Sequence, residues 1–176
     1  MKINLRIIVI LTMAFFLVVG CAATPTVYEP NEIEVNLSQY NDVQVVVGAS
    51  DQIRQKKGYD ATSALLLKEF VANVKAMGKY RIVDSESIYG QVLEVRLNIT
   101  NFNYVHGAAR GMFGILGGRA ILYVTMSLKD KETASELSVV VAKHTSSHAQ
   151  GIMSPTTSRQ VTAIAKELAL KLQDTR

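Results

Sequence analysis

Two histidines, His144 and His148, stand four residues apart, the separation at which a helix brings two imidazoles onto one metal ion. They follow "SVVVAK", whose apolar run reads as a strand. At about 3.3 Å per residue a strand holds them roughly 13 Å apart, too far to share an ion. The expectation is a solvated strand end, with no metal and no cofactor. His106 has no partner at a ligating distance in sequence. Nucleophilic catalysis lacks its parts: no G-x-S-x-G turn occurs, and the chain has a single cysteine. Asp60, Asp84, Glu86 and Glu94 fall at caps, turns or an outward strand face, and no spacing pairs them for acid–base work. The residues read as those of a non-enzymatic protein.

The stretch "HGAARGMFGILGGRA", residues 106–120, gathers Gly107, Gly111, Gly114, Gly117 and Gly118 between two strand-like segments. Glycine loops cradle phosphate through backbone N–H groups, but that chemistry uses GxxxxGK[ST] or GxGxxG opening a helix. Neither pattern is present, and a strand follows. Met112, Phe113, Ile115 and Leu116 are apolar, and Arg110 and Arg119 flank them. Two readings stand. The segment docks on a partner or a membrane surface through Arg110, Gly111, Met112, Phe113, Gly114 and Arg119. Alternatively it is a long hairpin end folded back on its own sheet, its glycines permitting bends.

Cys21 closes a different pattern. "MKINLR" carries Lys2 and Arg6, and an uncharged apolar run extends from Ile7 to Val19. Gly20, Cys21, Ala22 and Ala23 follow. A basic start, an apolar centre and a small-residue exit are the layout of an export signal. The run is shorter than the roughly 20 residues that span a bilayer. "VVGC" at Val18–Cys21 resembles the lipobox of bacterial lipoprotein signal peptides. That resemblance implies cleavage between Gly20 and Cys21, a diacylglyceryl group on the thiol and a fatty acyl chain such as palmitate on the freed amine. Two or more chains hold a protein firmly on a bilayer, where one gives only marginal binding. Ala22 after the cysteine implies sorting to the outer membrane. Full-length counts are 19 Lys+Arg and 15 Asp+Glu; removing Lys2 and Arg6 leaves 17 against 15, a net of +2. No basic stripe is present, so no nucleic-acid partner is expected.

The elements that must position these residues follow from periodicity. Residues 1–20 are the expected signal peptide and 21–41 a lipidated N-terminus and tether, "AATPTVYEPNEIEV" having two prolines and no period. A single domain is expected over 42–176. "DVQVVVGAS" at 42–50 reads as a buried strand, and 51–59 as a polar loop. A helix is expected from Ala61 to Met77, capped by Asp60, with Leu67, Phe70, Val71, Val74 and Met77 as its stripe. A short strand follows at 79–85. Residues 91–102, 119–130 and 137–147 are three further strands; the first two alternate, and the set suits an antiparallel meander. A last helix begins near Pro155. Ser154 or Thr157 caps it, with Gln160 completing a capping box in the second case. Its stripe is Val161, Ile164, Ala165, Leu168 and Leu172. The fold class expected is α/β in the broad sense, an α+β two-layer sandwich. A mixed, mostly antiparallel sheet of about five strands carries two helices on one face, in the order β-α-β-β-β-β-α.

From about Val43 to Leu172 the chain resembles the bacterial lipoprotein family catalogued as domain of unknown function 4410. The features shared are the Val-rich first strand, the helix and short strand, the loop "ARGMFGILGGRA", the strand ending "LKDKET" and the closing helix. That family usually places glycine after the threonine of this turn; here Ala134 follows Thr133. The resemblance implies a periplasm-facing lipoprotein fold and no catalytic assignment. The function expected is an envelope lipoprotein, membrane-bound through lipid on Cys21, that binds or assembles with an envelope protein partner. The alternative is a small-ligand or lipid-binding module with its cavity between helices and sheet. Oligomeric state is not legible in the residues.

Overall fold

A computed structural model describes residues 24–30, 36–84, 91–103, 120–145 and 156–174. Along the chain run β1 (Thr26–Tyr28), a 3₁₀ turn (Leu37–Gln39), β2 (Asp42–Ala49), α1 (Asp51–Arg54) and α2 (Tyr59–Ala76). Then come β3 (Arg81–Ile82), β4 (Val92–Asn103), β5 (Ile121–Asp130), β6 (Glu136–Thr145) and α3 (Thr156–Asp174). The described strands form one six-stranded sheet in the order β1-β6-β5-β4-β2-β3. It is mixed: β2 pairs parallel with both β3 and β4, and the β4-β5-β6 meander and the β1–β6 pair are antiparallel. The α+β two-layer class read from periodicity is the one observed, with one more strand and one more short helix.

Alternation decides which side of the sheet is covered. Val95, Leu97 and Ile99 pair with Leu128, Met126 and Val124, and all six are buried. Against this face lie Leu66, Phe70 and Val74 of α2 and Val161, Ile164, Ala165, Leu168 and Leu172 of α3. Each large side chain withdrawn from water in this way contributes about 1.5–3 kcal/mol. The α3 stripe is the expected one. On α2 the stripe is rotated: Thr62, Leu66, Phe70 and Val74 are buried and Leu67 is 38% exposed. Three consecutive leucines, Leu65–Leu67, leave the phase of a helix undetermined by period alone, and packing selects Leu66.

Several local expectations are corrected. Gly58, with φ 84°, precedes α2 in place of an Asp60 cap. The first turn of α2 has a different side-chain bond, Ser63 Oγ donating to the Asp60 carbonyl. Four residues of the polar 51–59 segment form α1, with Ile53 buried. The core reaches N-terminally beyond residue 42: Leu37 and Tyr40 are fully buried. Inside the expected tether, β1 pairs Thr26–Tyr28 with Lys143–Val141, and Glu29 meets Lys171 of α3 at 3.0 Å. β3 is shorter than expected. Arg81 donates twice to Asp42, its register partner, at 2.8 and 2.7 Å, which fixes where this two-residue strand sits.

Candidate functional site

The strands β4 and β5 carry the glycine-rich segment between them, and their last described pairs are Phe102 with Leu122 and Asn103 with Ile121. A register shift between Ile99 and Asn101 bends β4 just before that end. Three polar contacts hold the base. Lys56 Nζ, from the turn after α1, donates to the Phe102 carbonyl at 2.8 Å. Gln160 Nε2, from α3, donates to the Ala120 carbonyl at 3.2 Å. The same Nε2 stands 2.7 Å from Nδ1 of His144 on β6. The bond to the Ala120 carbonyl uses one amide hydrogen of Gln160 and sets the orientation of the amide. The second amide hydrogen then meets Nδ1 as an acceptor, so the imidazole is neutral with its proton on Nε2. Burial alone pushes the His144 pKa below its ordinary 6.5. Gln160 is fully buried and its Oε1 has no hydrogen-bond partner.

His144 is therefore not the solvated strand end expected; it is 5% exposed and faces inward. Nor does Gln160 close a capping box, since its amide is committed to Ala120 and His144. Sequence signals for both existed. His144 continues the inward series Val140, Ala142, and Gln160 lies four residues before Ile164 on the buried stripe of α3. Reading polar side chains as outward-facing hid them.

The remaining candidates divide cleanly. Gly20, Cys21, Glu86, His106, Arg110, Gly111, Met112, Phe113, Gly114, Arg119 and His148 lie outside the described residues. Glu94 lies on the sheet face away from the helices, pairing with Arg96 at 3.0 Å. Asp84 borders a cavity beside β2. Among the described residues no three His, Cys, Asp or Glu side chains gather as metal ligands. Side chains of α2 and α3 pack on the covered face of the sheet, and the cavity that Leu67 and Val71 of α2 and Val45 and Val47 of β2 line lies where the alternative reading places a ligand.

At the opposite end of β5 a second polar network closes the turn to β6. Asp130 Oδ1 accepts from the Thr133 backbone N–H at 2.7 Å and from its hydroxyl at 3.1 Å. Asp130 Oδ2 accepts from the Tyr40 hydroxyl at 2.7 Å. The Thr133 N–H, and after it the Tyr40 hydroxyl, hold the Asp130 carboxyl below the usual carboxylate range. Ala134, where the resembled family has glycine, adopts a left-handed conformation with φ 57°. On the uncovered face, Lys143 Nζ lies 4.8 Å from the Tyr28 ring centroid and 5.4 Å from that of Tyr123, joining β1, β6 and β5.

No family model matches the chain, and no curated protein matches it. Solved structures do. A PelC dodecamer from Paraburkholderia phytofirmans is similar with a TM-score of 0.53 at 13% identity, over 85% of this chain and 98% of that one. A Xanthomonas campestris protein of the domain of unknown function 330 family reaches a TM-score of 0.48 at 14% identity, over 88% and 95% of the two chains. At such identity the likeness to PelC is one of fold.

Proposed function

We propose that the chain is a lipid-anchored envelope protein, tethered through Cys21 in the outer membrane and facing the periplasm, whose folded part binds or assembles with another envelope protein. It performs no catalysis in this reading. The export-signal layout of residues 1–23 and the Val18–Cys21 lipobox resemblance support the anchor. The observation that carries the binding role is the set of polar contacts from Lys56, Gln160 and His144 at the base of the 104–119 segment. Buried polar contacts of this kind specify one geometry. Here they give that geometry to the two strands bearing Arg110, Met112, Phe113 and Arg119. Two polar networks away from that base hold the fold together: Asp42 holds Arg81, and Asp130 holds Tyr40 and Thr133. That PelC, with the same fold, is a dodecamer supports an assembly role for the module.

Two measurements test the reading. Cys21→Ser removes the acylated sulfur; the expected result is an uncleaved leader and loss of the lipid-dependent membrane fraction. A variant processed and fractionating as the parent overturns the anchor. Arg110→Glu and Phe113→Ser, each in the full chain with in-cell crosslinking, should keep the melting temperature and lose the partner band. Identical crosslinked partners in all three chains overturn the loop assignment.

A further inference from the structure

Given the anchor proposed at Cys21, on which this reading rests, we infer that the outward corner of the sheet at Tyr28, Lys143 and Tyr123 lies on the phospholipid headgroups of the same bilayer. Thr26 and Tyr28 stand in register with Lys143 and Val141, and these with Tyr123 and Thr125. Val27, between the first two, pairs with the buried Ala142. Side chains alternate along a strand, so the six lie on the face away from the helices. Tyr28, 42% exposed, is the most open large hydrophobic side chain among the described residues.

The corner holds two residue types suited to a membrane–water boundary. Tyrosine offers an apolar ring with a polar tip, and lysine covers apolar surface with its stem while its amine stays among headgroups. Here they form one unit, with Lys143 Nζ over both rings. Hydrogen bonding to Tyr28 raises the Lys143 pKa above its ordinary value, so the ammonium is retained. Among the described residues no carboxylate shares the corner. Glu29 meets Lys171 of α3, on the helical side. Along β6 the first acid is Glu136, seven residues from Lys143 and roughly 23 Å away. On β4 the outward Glu94 is paired with Arg96. A cation among phenol and hydroxyl groups, with no acid beside it, complements an anionic lipid surface.

The length of chain before β1 says which surface comes against this corner. Five residues lead from Cys21 to Thr26, a reach below about 20 Å. The headgroup layer itself takes up roughly 5–8 Å of that. Thr26 is therefore held within about 15 Å of the lipid surface, whatever path residues 22–25 take. Of the two faces at β1, the helical one is closed by the Glu29–Lys171 pair, and the outward one presents Tyr28 and Lys143. β2, at the far side of the sheet, is four strand spacings from β1, roughly 19 Å.

The chain has no tryptophan, so Tyr28→Trp in the full chain gives a single emission. The protein, purified in detergent, is reconstituted into vesicles of phosphatidylethanolamine and phosphatidylglycerol, with and without bromine on the acyl chains. Tyr28→Trp should shift to the blue and lose most of its emission to bromine. Leu67→Trp, on α2 beside β2, should keep its emission. Lys143→Glu and Thr26→Glu, each added to the Tyr28→Trp chain, should weaken the quenching while flotation with the vesicles persists. The second keeps the Lys143–tyrosine unit and covers the case in which the first does not fold. Intact mass of the same samples reads the acyl groups on Cys21 and tests the anchor separately. Acylated protein in which the two tryptophan variants are quenched alike, or not at all, overturns the corner and leaves the anchor standing. Quenching unchanged by both acidic substitutions assigns it to the tether alone and also overturns the corner. Unacylated protein with only Tyr28→Trp quenched supports the corner and removes the anchor; with no quenching it overturns both.

Discussion

Nδ1 of His144 and Nε2 of Gln160 stand 2.7 Å apart in the core, joining β6 to α3 next to the Ala120 carbonyl. The contact requires a neutral imidazole, because a protonated Nδ1 would set one N–H against another. Burial lowers the His144 pKa in the fold relative to the open chain. The unfolded state therefore takes up the proton first. Stability from this group is fully present above about pH 6.5 and is lost as pH falls through the lower folded value. Melting temperature should fall between pH 7.5 and 5. In His144→Ala, scanned over the same range, that slope should shrink; an unchanged slope assigns the loss to other groups.

Gln160 acts with His144 as one unit. Gln160→Ala removes two hydrogen bonds, to the Ala120 carbonyl and to His144 Nδ1, and should cost about 1–3 kcal/mol in denaturant unfolding. Because the two side chains share a bond, the double Ala variant should be less destabilised than the two single losses together, with a coupling of about 0.5–3 kcal/mol. Additive losses would show that each residue acts by packing alone.

Tyr40 and Asp130 are 90 residues apart in sequence and hold the start of β2 against the β5–β6 turn. Tyr40→Phe keeps the buried ring and removes one bond to a carboxylate, so a loss of about 1.5 kcal/mol is expected. The Asp130 carboxyl titrates below its ordinary value in the fold. Its contribution is present above about pH 4 and is lost as pH falls through the folded value. Asp130→Asn should therefore flatten the acid limb of stability between pH 5 and 2.5, read by urea midpoints.

Ala134 is the described non-glycine residue with positive φ. A left-handed alanine carries about 1 kcal/mol of steric cost that glycine does not. Ala134→Gly relieves that cost, and the entropy of the freer open chain offsets part of it, so a net gain of about 0.5 kcal/mol is expected. The gain should appear as a higher urea midpoint with an unchanged slope.

The meander was legible because Val95, Leu97 and Ile99 alternate with polar neighbours, as do Leu122, Val124 and Met126, and a period of two has one structural meaning. The α3 stripe was legible for the same reason at a period of 3.6. What escaped depends on contacts between distant segments. β1 is three residues beside a proline, and only the β6 edge makes it a strand. The phase of α2 was ambiguous across Leu65–Leu67 until Phe70 and Val74 met the sheet. His144 and Gln160 each looked like a surface residue alone, and only their meeting on two elements explains their burial. Most of the candidate site, from Arg110 to Arg119, lies outside the described residues, but the strands and contacts at its base are fixed.

The pairing of Thr26–Tyr28 with β6 shortens the leash that any acyl group at position 21 would provide. Counted to residue 41, the free chain would reach roughly 70 Å; counted to Thr26, five residues reach about 17 Å. A body moored so closely cannot swing through the space above a bilayer. It would ride low, with the β1–β6 border of its sheet nearest the lipid and the opposite border, at β2, turned outward.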